Sequence, residues 1–253
     1  MAATIDFDFG SVGLDTTIGV TIGSIEIRNS KPVATHNLPH QDGAIAETAK
    51  LGPKTITVSG DIVGSSYDTL RGYLDSLSAA LADGLQKFTL DDERYIMAQM
   101  RDFSYSYDHV TRRATWTASF TAHFPFWLSE TLKSDVRAPT SGVGYTVANA
   151  GNAPTRVKAK VTAPAGGPII NMCLLENTTR SELCKFTGTI AAAKILEIDN
   201  RVDTDDFEVL NDSVDAHTSF EGDFLNLSSG NNTIEYTGTA GATIGVYWRD
   251  AWY

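Results

Sequence analysis

The sequence predicts a mainly β protein of two domains. The first is a β-sheet, split-barrel-like domain with one helix packed on it, and the second is an antiparallel β-sandwich. Three observations predict this. Apolar and polar residues alternate with strand periodicity through most of the 253 residues. One stretch, GDIVGSSYDTLRGYLDSLSAALADG at 60–84, has helical periodicity instead. Beyond residue 143, short alternating runs recur between turn residues, and no helical stripe interrupts them.

The first fifty residues carry short strand-like runs such as TIGVTIGSIEIRNS. KPVATHNLPHQDGAIAETAKLGPK then fits neither period and reads as a long loop or extended arm, a feature that in compact domains usually has a partner or a function. KTITVSGDIVG resumes the alternation, with Ile56 and Val58 on one face and Thr55 and Thr57 on the other. The helix follows near 66–83. Ser65 or Ser66 serves as N-cap, Asp68 suits the dipole in the first turn, and Gly84 is the expected C-cap. Leu70, Tyr73/Leu74, Leu77 and Ala80/Leu81 form its single apolar stripe.

QKFTLDDERYIMAQMRDFSYSYDHVTRRATWTASFTAHFPFW reads as three strands joined at Asp91-Asp92-Glu93 and DHVTRR. The apolar parity changes between Ile96/Ala98/Met100 and Phe103/Tyr105/Tyr107, which predicts a bulge near Arg101-Asp102. Ala114, Trp116, Ala118, Phe120, Ala122 and Phe124 share the core face of the last strand. Periodicity fades over SETLKSDVRAPTSGV, so the expected domains are 1–130 and 143–253, with 131–142 as linker. About eight strands are expected in the second domain. In IINMCLLENTTRSELCKFTG, a hairpin about Asn177–Arg180 would set Cys173 directly opposite Cys184, as two packed thiols or, alternatively, a disulfide.

The balance of 42% hydrophobic and 20% charged residues excludes a disordered chain. The net charge of −11 is spread over both halves with no Lys/Arg run, which argues against a nucleic-acid site. MAATIDFDFGSVGLD has neither the charge nor the apolar run of a signal peptide, and no stretch approaches the roughly 18 apolar residues of a membrane span. Folding in a cytoplasm without membrane insertion is the expectation.

Chemistry-bearing motifs are sparse. There is no Gly-x-Ser-x-Gly elbow, P-loop or His-Glu-x-x-His, so no catalytic residue, cofactor or metal is expected. His36 and His40 with Asp42 read as a solvated loop before a metal site. Asp199, Asp203, Asp205 and Asp206 lack the glycine and terminal glutamate of a calcium loop and read as an acidic turn. Tyr247, Trp248, Trp252 and Tyr253 either close the sandwich or offer a stacking surface, with Tyr247, Trp248 and Trp252 the candidates for glycan contact.

The order of these features resembles the distal tail proteins of long-tailed, siphovirus-type bacteriophages and related tail-like particles. TITVSGDIVGSS leads into the helix YDTLRGYLDSLSAALADG, and HFPFW at 123–127 supplies the aromatic–proline motif. FLNLSSGNNTIEYTG at 224–238 supplies a Leu-x-x-Gly-x-Asn-x-Ile-x-Tyr pattern before the last strand.

The resemblance implies a tail-tube-like first domain and a galectin- or carbohydrate-module-like sandwich. It also implies a structural role at the distal end of a virion tail, assembled in the host cytoplasm. The subunits would form a ring, commonly a hexamer, joining the tail tube protein to tail-tip hub or receptor-binding proteins, with a host surface glycan as a further partner. Ring closure requires an arm or sheet edge of each subunit to engage its neighbour. Thr35, His36, Asn37, Leu38, His40, Ala44 and Ile45 of the arm are the candidates. The alternative is a carbohydrate-binding sandwich with an accessory β domain.

Overall fold

The computed structural model describes residues 8–9, 12–13, 20–31, 35–37, 44–46, 51–82, 84–91, 93–170, 173–203 and 207–253. The chain forms two compact units, Met1–Pro125 and Phe126–Tyr253.

The first unit contains β1 (Asp8–Phe9), β2 (Val12–Gly13), β3 (Val20–Asn29), β4 (Thr35–Asn37), β5 (Ala44–Ala46) and β6 (Lys54–Val63). These are followed by α1 (Tyr67–Leu81), β7 (Leu85–Asp91), β8 (Arg94–Asp108) and β9 (Arg113–Ala122). One antiparallel sheet runs in the order β2-β1-β7-β8-β9-β6-β3, while β4 and β5 pair only with each other among the described residues.

Strict alternation on β6 and β9 builds the buried face. Ile56, Val58 and Ile62 sit opposite Phe120, Ala118 and Ala114, all fully buried. Phe120 lies 4.8 Å from Phe9 and 5.3 Å from Phe88, so strands distant in sequence share one aromatic core. Phe124 lies beyond the end of β9 and is half-buried. The expected bulge is present, with the β8–β9 register slipping between Met100 and Asp102. It returns Phe103, Tyr105 and Tyr107 to the face that holds Ala118, Trp116 and Ala114.

The helix buries Leu70, Leu74, Leu77 and Leu81. Burial of each such side chain stabilises by about 1.5–3 kcal/mol before conformational entropy is subtracted. Ser66 is the N-cap, its Oγ accepting the Thr69 N–H at 3.2 Å. The β8–β9 turn fixes this start. Gly64 N donates to Arg112 O at 3.0 Å, and the Arg112 guanidinium donates to Ser65 O at 2.5 Å. The C-terminus differs from expectation. The cap is Ala82 in a right-handed conformation, bonded to Ser78 O and Ala79 O, rather than a left-handed Gly84. The helix closes by a tightened last turn, which needs no glycine.

The second unit contains β10 (Trp127–Ser129), β11 (Lys133–Arg137), β12 (Tyr145–Asn149), β13 (Thr155–Thr162), β14 (Cys173–Asn177), β15 (Glu182–Phe186) and β16 (Ile195–Asp199). After these come β17 (Glu208–Asn211), β18 (Val214–Asp215), β19 (Phe220–Gly222), β20 (Asn226–Leu227), β21 (Gly230–Thr237), β22 (Thr243–Trp248) and β23 (Ala251–Trp252). One sheet runs β11-β22-β13-β16-β17-β18 and the other β12-β21-β14-β15-β19. Alternate residues of both face a common core that includes Val157, Ala159, Val161, Leu175, Phe186, Ile198, Ile234 and Val246.

Three details differ from expectation. The division falls at Pro125/Phe126, and the stretch read as linker holds β11, which pairs residue by residue with β22. The strands are also shorter and more numerous than eight, because runs read as one split at turns, as in β20/β21 and β22/β23. Finally, the cysteines are not directly opposed. Cys173 faces Phe186, and Leu175 faces Cys184. Asn177 explains the shift. Its Oδ1 accepts the Thr179 N–H at 3.1 Å, and Ser181 takes φ 56°, so the turn is centred one residue later than the polar run suggests. Both thiols are free and buried.

Candidate functional site

The predicted arm is a short antiparallel ribbon in which Thr35, His36 and Asn37 pair with Ala46, Ile45 and Ala44. Leu38 and His40 lie outside the described residues, as does Asp42 of the proposed His/Asp group. The ribbon brings five of the seven arm candidates, Thr35, His36, Asn37, Ala44 and Ile45, into one register.

The sheet of the first unit offers a second surface. β3 is its terminal strand and pairs with β6 alone among the described residues. Ile22 and Ile25 are half-buried and Ile27 is 40% exposed, all in rows continuous with the buried residues of β6. Such a row is what a neighbouring strand or helix would complete.

Sequence reasoning placed Tyr105 and Tyr107 on a strand but missed what they meet. Tyr107 lies 5.9 Å from Tyr67 and 4.8 Å from His109, and Tyr67 stacks on His109 at 5.2 Å. Beside them a cavity of about 250 Å³ is lined by Tyr67, Leu70, Arg71, Leu74, Asp75 and Tyr105. Only the long β8–β9 hairpin, folding back to the helix start, brings these rings together.

In the sandwich the terminal aromatics do not form one platform. Trp248 faces the core at 5% exposure, with Nε1 3.3 Å from Asp250 Oδ1. Tyr247 lies on the opposite face of the same strand, with Lys160 Nζ 5.7 Å from its ring centre. Trp252 is half-buried and pairs in register with Trp127, while Tyr253 meets Phe126 edge-on at 5.3 Å.

The outer face of β13, β16 and β22 carries a charge ladder. Lys158 bridges Glu197 at 2.5 Å and Asp199 at 3.4 Å, and Lys160 reaches Glu197 at 2.6 Å. Arg201 adds a two-pronged pair to Asp199 at 3.0 and 2.9 Å. Burial alone would raise the Asp199 carboxyl, but the Arg201 hydrogen bonds and the Lys158 charge win, and it is held below its usual range. Lys158 is likewise opposed by burial, yet is raised by its carboxylate partners.

Asp203 accepts from Arg249 Nε at 3.2 Å, while Asp205 and Asp206 lie outside the described residues. Asp199 and Asp203 are therefore engaged by cations of the chain itself, and among the described residues no three His, Cys, Asp or Glu side chains converge as metal ligands. Burial pushes both cysteine thiols up to about 12, far from the range of a nucleophilic thiolate.

The 224–238 motif has a structural basis. Gly230 takes φ 83°, and buried Asn232 bonds back across that turn. Its Oδ1 accepts from Ser228 N at 2.8 Å and Asn177 Nδ2 at 3.2 Å. Its Nδ2 donates to Ser228 O at 2.9 Å and Gly230 O at 3.0 Å. Leu227, Ile234 and Tyr236 then enter the core.

Residues 150–252 match the family model of the siphovirus-type tail component, C-terminal domain. No curated protein matches. Among solved structures, the Dit (gp 19.1) protein of phage SPP1, reported as a paradigm of the hub adsorption apparatus in phages infecting Gram-positive bacteria, superposes with a TM-score of 0.75 at 13% identity. The match covers 99% of this chain and 100% of that one. A chain of the phage p2 baseplate in its activated conformation gives 0.52 with strontium, at 7% identity over 96% and 98% of the two chains. The same baseplate with calcium gives 0.51, at 7% over 93% and 92%. At these identities the likeness to solved structures is one of fold. Residues 150–252 thus match the siphovirus-type tail component C-terminal domain, and the chain shares the fold of the SPP1 Dit protein over 99% of its length.

Proposed function

We propose that the protein is a structural, non-catalytic subunit of the tail tip that assembles into a closed ring, a hexamer, joining the tail tube to the host-recognition apparatus. The observation that carries this reading is the open edge of the first sheet. β3 is ten residues long, holds no proline, and extends the apolar rows of β6 outward through Ile22, Ile25 and Ile27. An isolated domain with such an edge invites pairing with another chain. A heterologous contact that closes under rotation gives a ring rather than a filament. The ribbon of β4 and β5 would reach the neighbouring subunit as a second contact.

The test is the solution mass of the purified full chain together with electron-microscopic images. Rings with a central opening are expected. Replacing Ile25 and Ile27 together by Lys should release monomers whose sandwich remains folded. A wild-type chain that stays monomeric both alone and with tail tube protein overturns the reading.

A further inference from the structure

His217 opens a short 3-10 turn, His217–Ser219, just after β18. Both of its ring nitrogens face oxygen atoms. Nδ1 lies 2.6 Å from Asp215 Oδ1, and Nε2 lies 3.0 Å from the carbonyl oxygen of Phe207. A peptide carbonyl can only accept a hydrogen bond, and the same holds for an ionised carboxylate. Asp215 is ionised here: its Oδ1 also accepts the His217 backbone N–H at 3.0 Å, and that bond, with the ring contact, holds the carboxyl below its usual range. A neutral imidazole carries a single N–H, so it satisfies one of the two contacts and sets a lone pair against the other oxygen. Only the imidazolium donates to both.

The contact with Phe207 has a structural consequence. Phe207 stands immediately before β17, and its ring meets Phe224 with centres 5.2 Å apart. Phe224 in turn meets Phe220 at 5.0 Å, just past the 3-10 turn. We propose that His217 is a pH-operated latch, which pins the Phe207 backbone, and with it the aromatic row Phe207–Phe224–Phe220, while the imidazole is protonated, and releases it when the imidazole is neutral. Among the described residues, the charges acting on the ring are Asp215 on β18 and Glu208 on β17, both acidic. The Asp215 hydrogen bond, above all, raises the His217 pKa from its ordinary 6.5. The latch is therefore fully closed below about 6.5 and opens as pH rises through the raised value.

The experiment is hydrogen exchange by mass spectrometry on the full chain between about pH 6 and about pH 9, each rate divided by the chemical exchange rate at that pH. Peptides covering 207–219 are compared with the peptide spanning Gly230–Thr237 as internal reference. Protection of 207–219 relative to that reference should fall about three- to tenfold across the range, the worth of one exposed charge-assisted hydrogen bond. In His217→Ala it should sit at the wild-type high-pH level throughout. Asp215→Asn keeps an acceptor for the backbone N–H but removes the charge, so the midpoint should move to lower pH. Both side chains are exposed, and melting temperatures near that of the wild type are expected for both variants. The proposal is overturned if wild-type protection ignores pH or if His217→Ala keeps the pH dependence. It is overturned equally if Asp215→Asn leaves the midpoint in place.

Discussion

Asn232 holds the turn before β21 and should be among the most costly polar positions in the sandwich to lose. It is fully buried and serves four partners at 2.8–3.2 Å: Ser228 N, Ser228 O, Gly230 O and Asn177 Nδ2. Alanine would remove all four bonds at once from a side chain that is itself fully buried. A typical hydrogen bond contributes about 0.5–1.5 kcal/mol, and an orphaned buried group costs more, so Asn232→Ala should lose about 2–5 kcal/mol. The assay is urea unfolding of the full chain, with hydrogen exchange read on the peptide spanning Gly230–Thr237 so that the sandwich transition is assigned.

Asn232→Asp adds a second reading. Its carboxylate would keep the two acceptor contacts but turn its other oxygen toward the Ser228 and Gly230 carbonyls. Burial and those carbonyls push its pKa above the unfolded value, so the unfolded chain ionises first and the variant loses stability as pH rises from about 4. An alanine variant within about 1 kcal/mol of wild type, or an aspartate variant indifferent to pH, would refute the reasoning.

Asp199→Asn removes the two-pronged carboxylate partner of largely buried Arg201 and should cost about 3 kcal/mol, while Lys158 keeps its bridge to Glu197. Since the native Asp199 pKa is depressed, its contribution is present above the ordinary carboxylate range and fades as pH falls through the depressed value. Acid titration of the wild-type and variant melting temperatures should therefore converge at low pH. Ser66→Ala should lower stability by about 1 kcal/mol through loss of the helix cap, measured by chemical denaturation of the first domain. Cys173 and Cys184 should resist a thiol reagent in the native chain and yield two equivalents on unfolding, with or without prior reductant.

The features legible in the sequence are those with a local period. The four-leucine stripe of α1, the Ala114–Ala122 face and the bulge before Phe103 all follow from which residues repeat at which spacing. What failed was fixed by a single side chain or by distant partners. The cysteine register turned on one Asn177 bond to the Thr179 N–H, and a one-residue shift of a strand changes every facing pair. Trp248 and Tyr247 are neighbours that strand geometry sends to opposite faces, so an aromatic-rich end is not an aromatic surface. The Glu182–Asn226 contact was hidden for a different reason: the two residues stand 44 positions apart, and only the packing of the two sheets brings their polar groups together.

The two domains differ in how they finish their polar ends and apolar edges. In the sandwich, buried amides finish the end of the fold. Asn149 donates to Ala153 O and Ser228 O, and Asn177 donates to Asn226 O and Asn232. These bonds tie three separate turns together and leave their backbone groups satisfied, so that end demands no partner. The first sheet instead stops at β3 with an apolar row half in solvent. In the proposed ring, that row is the surface a neighbouring subunit would cover.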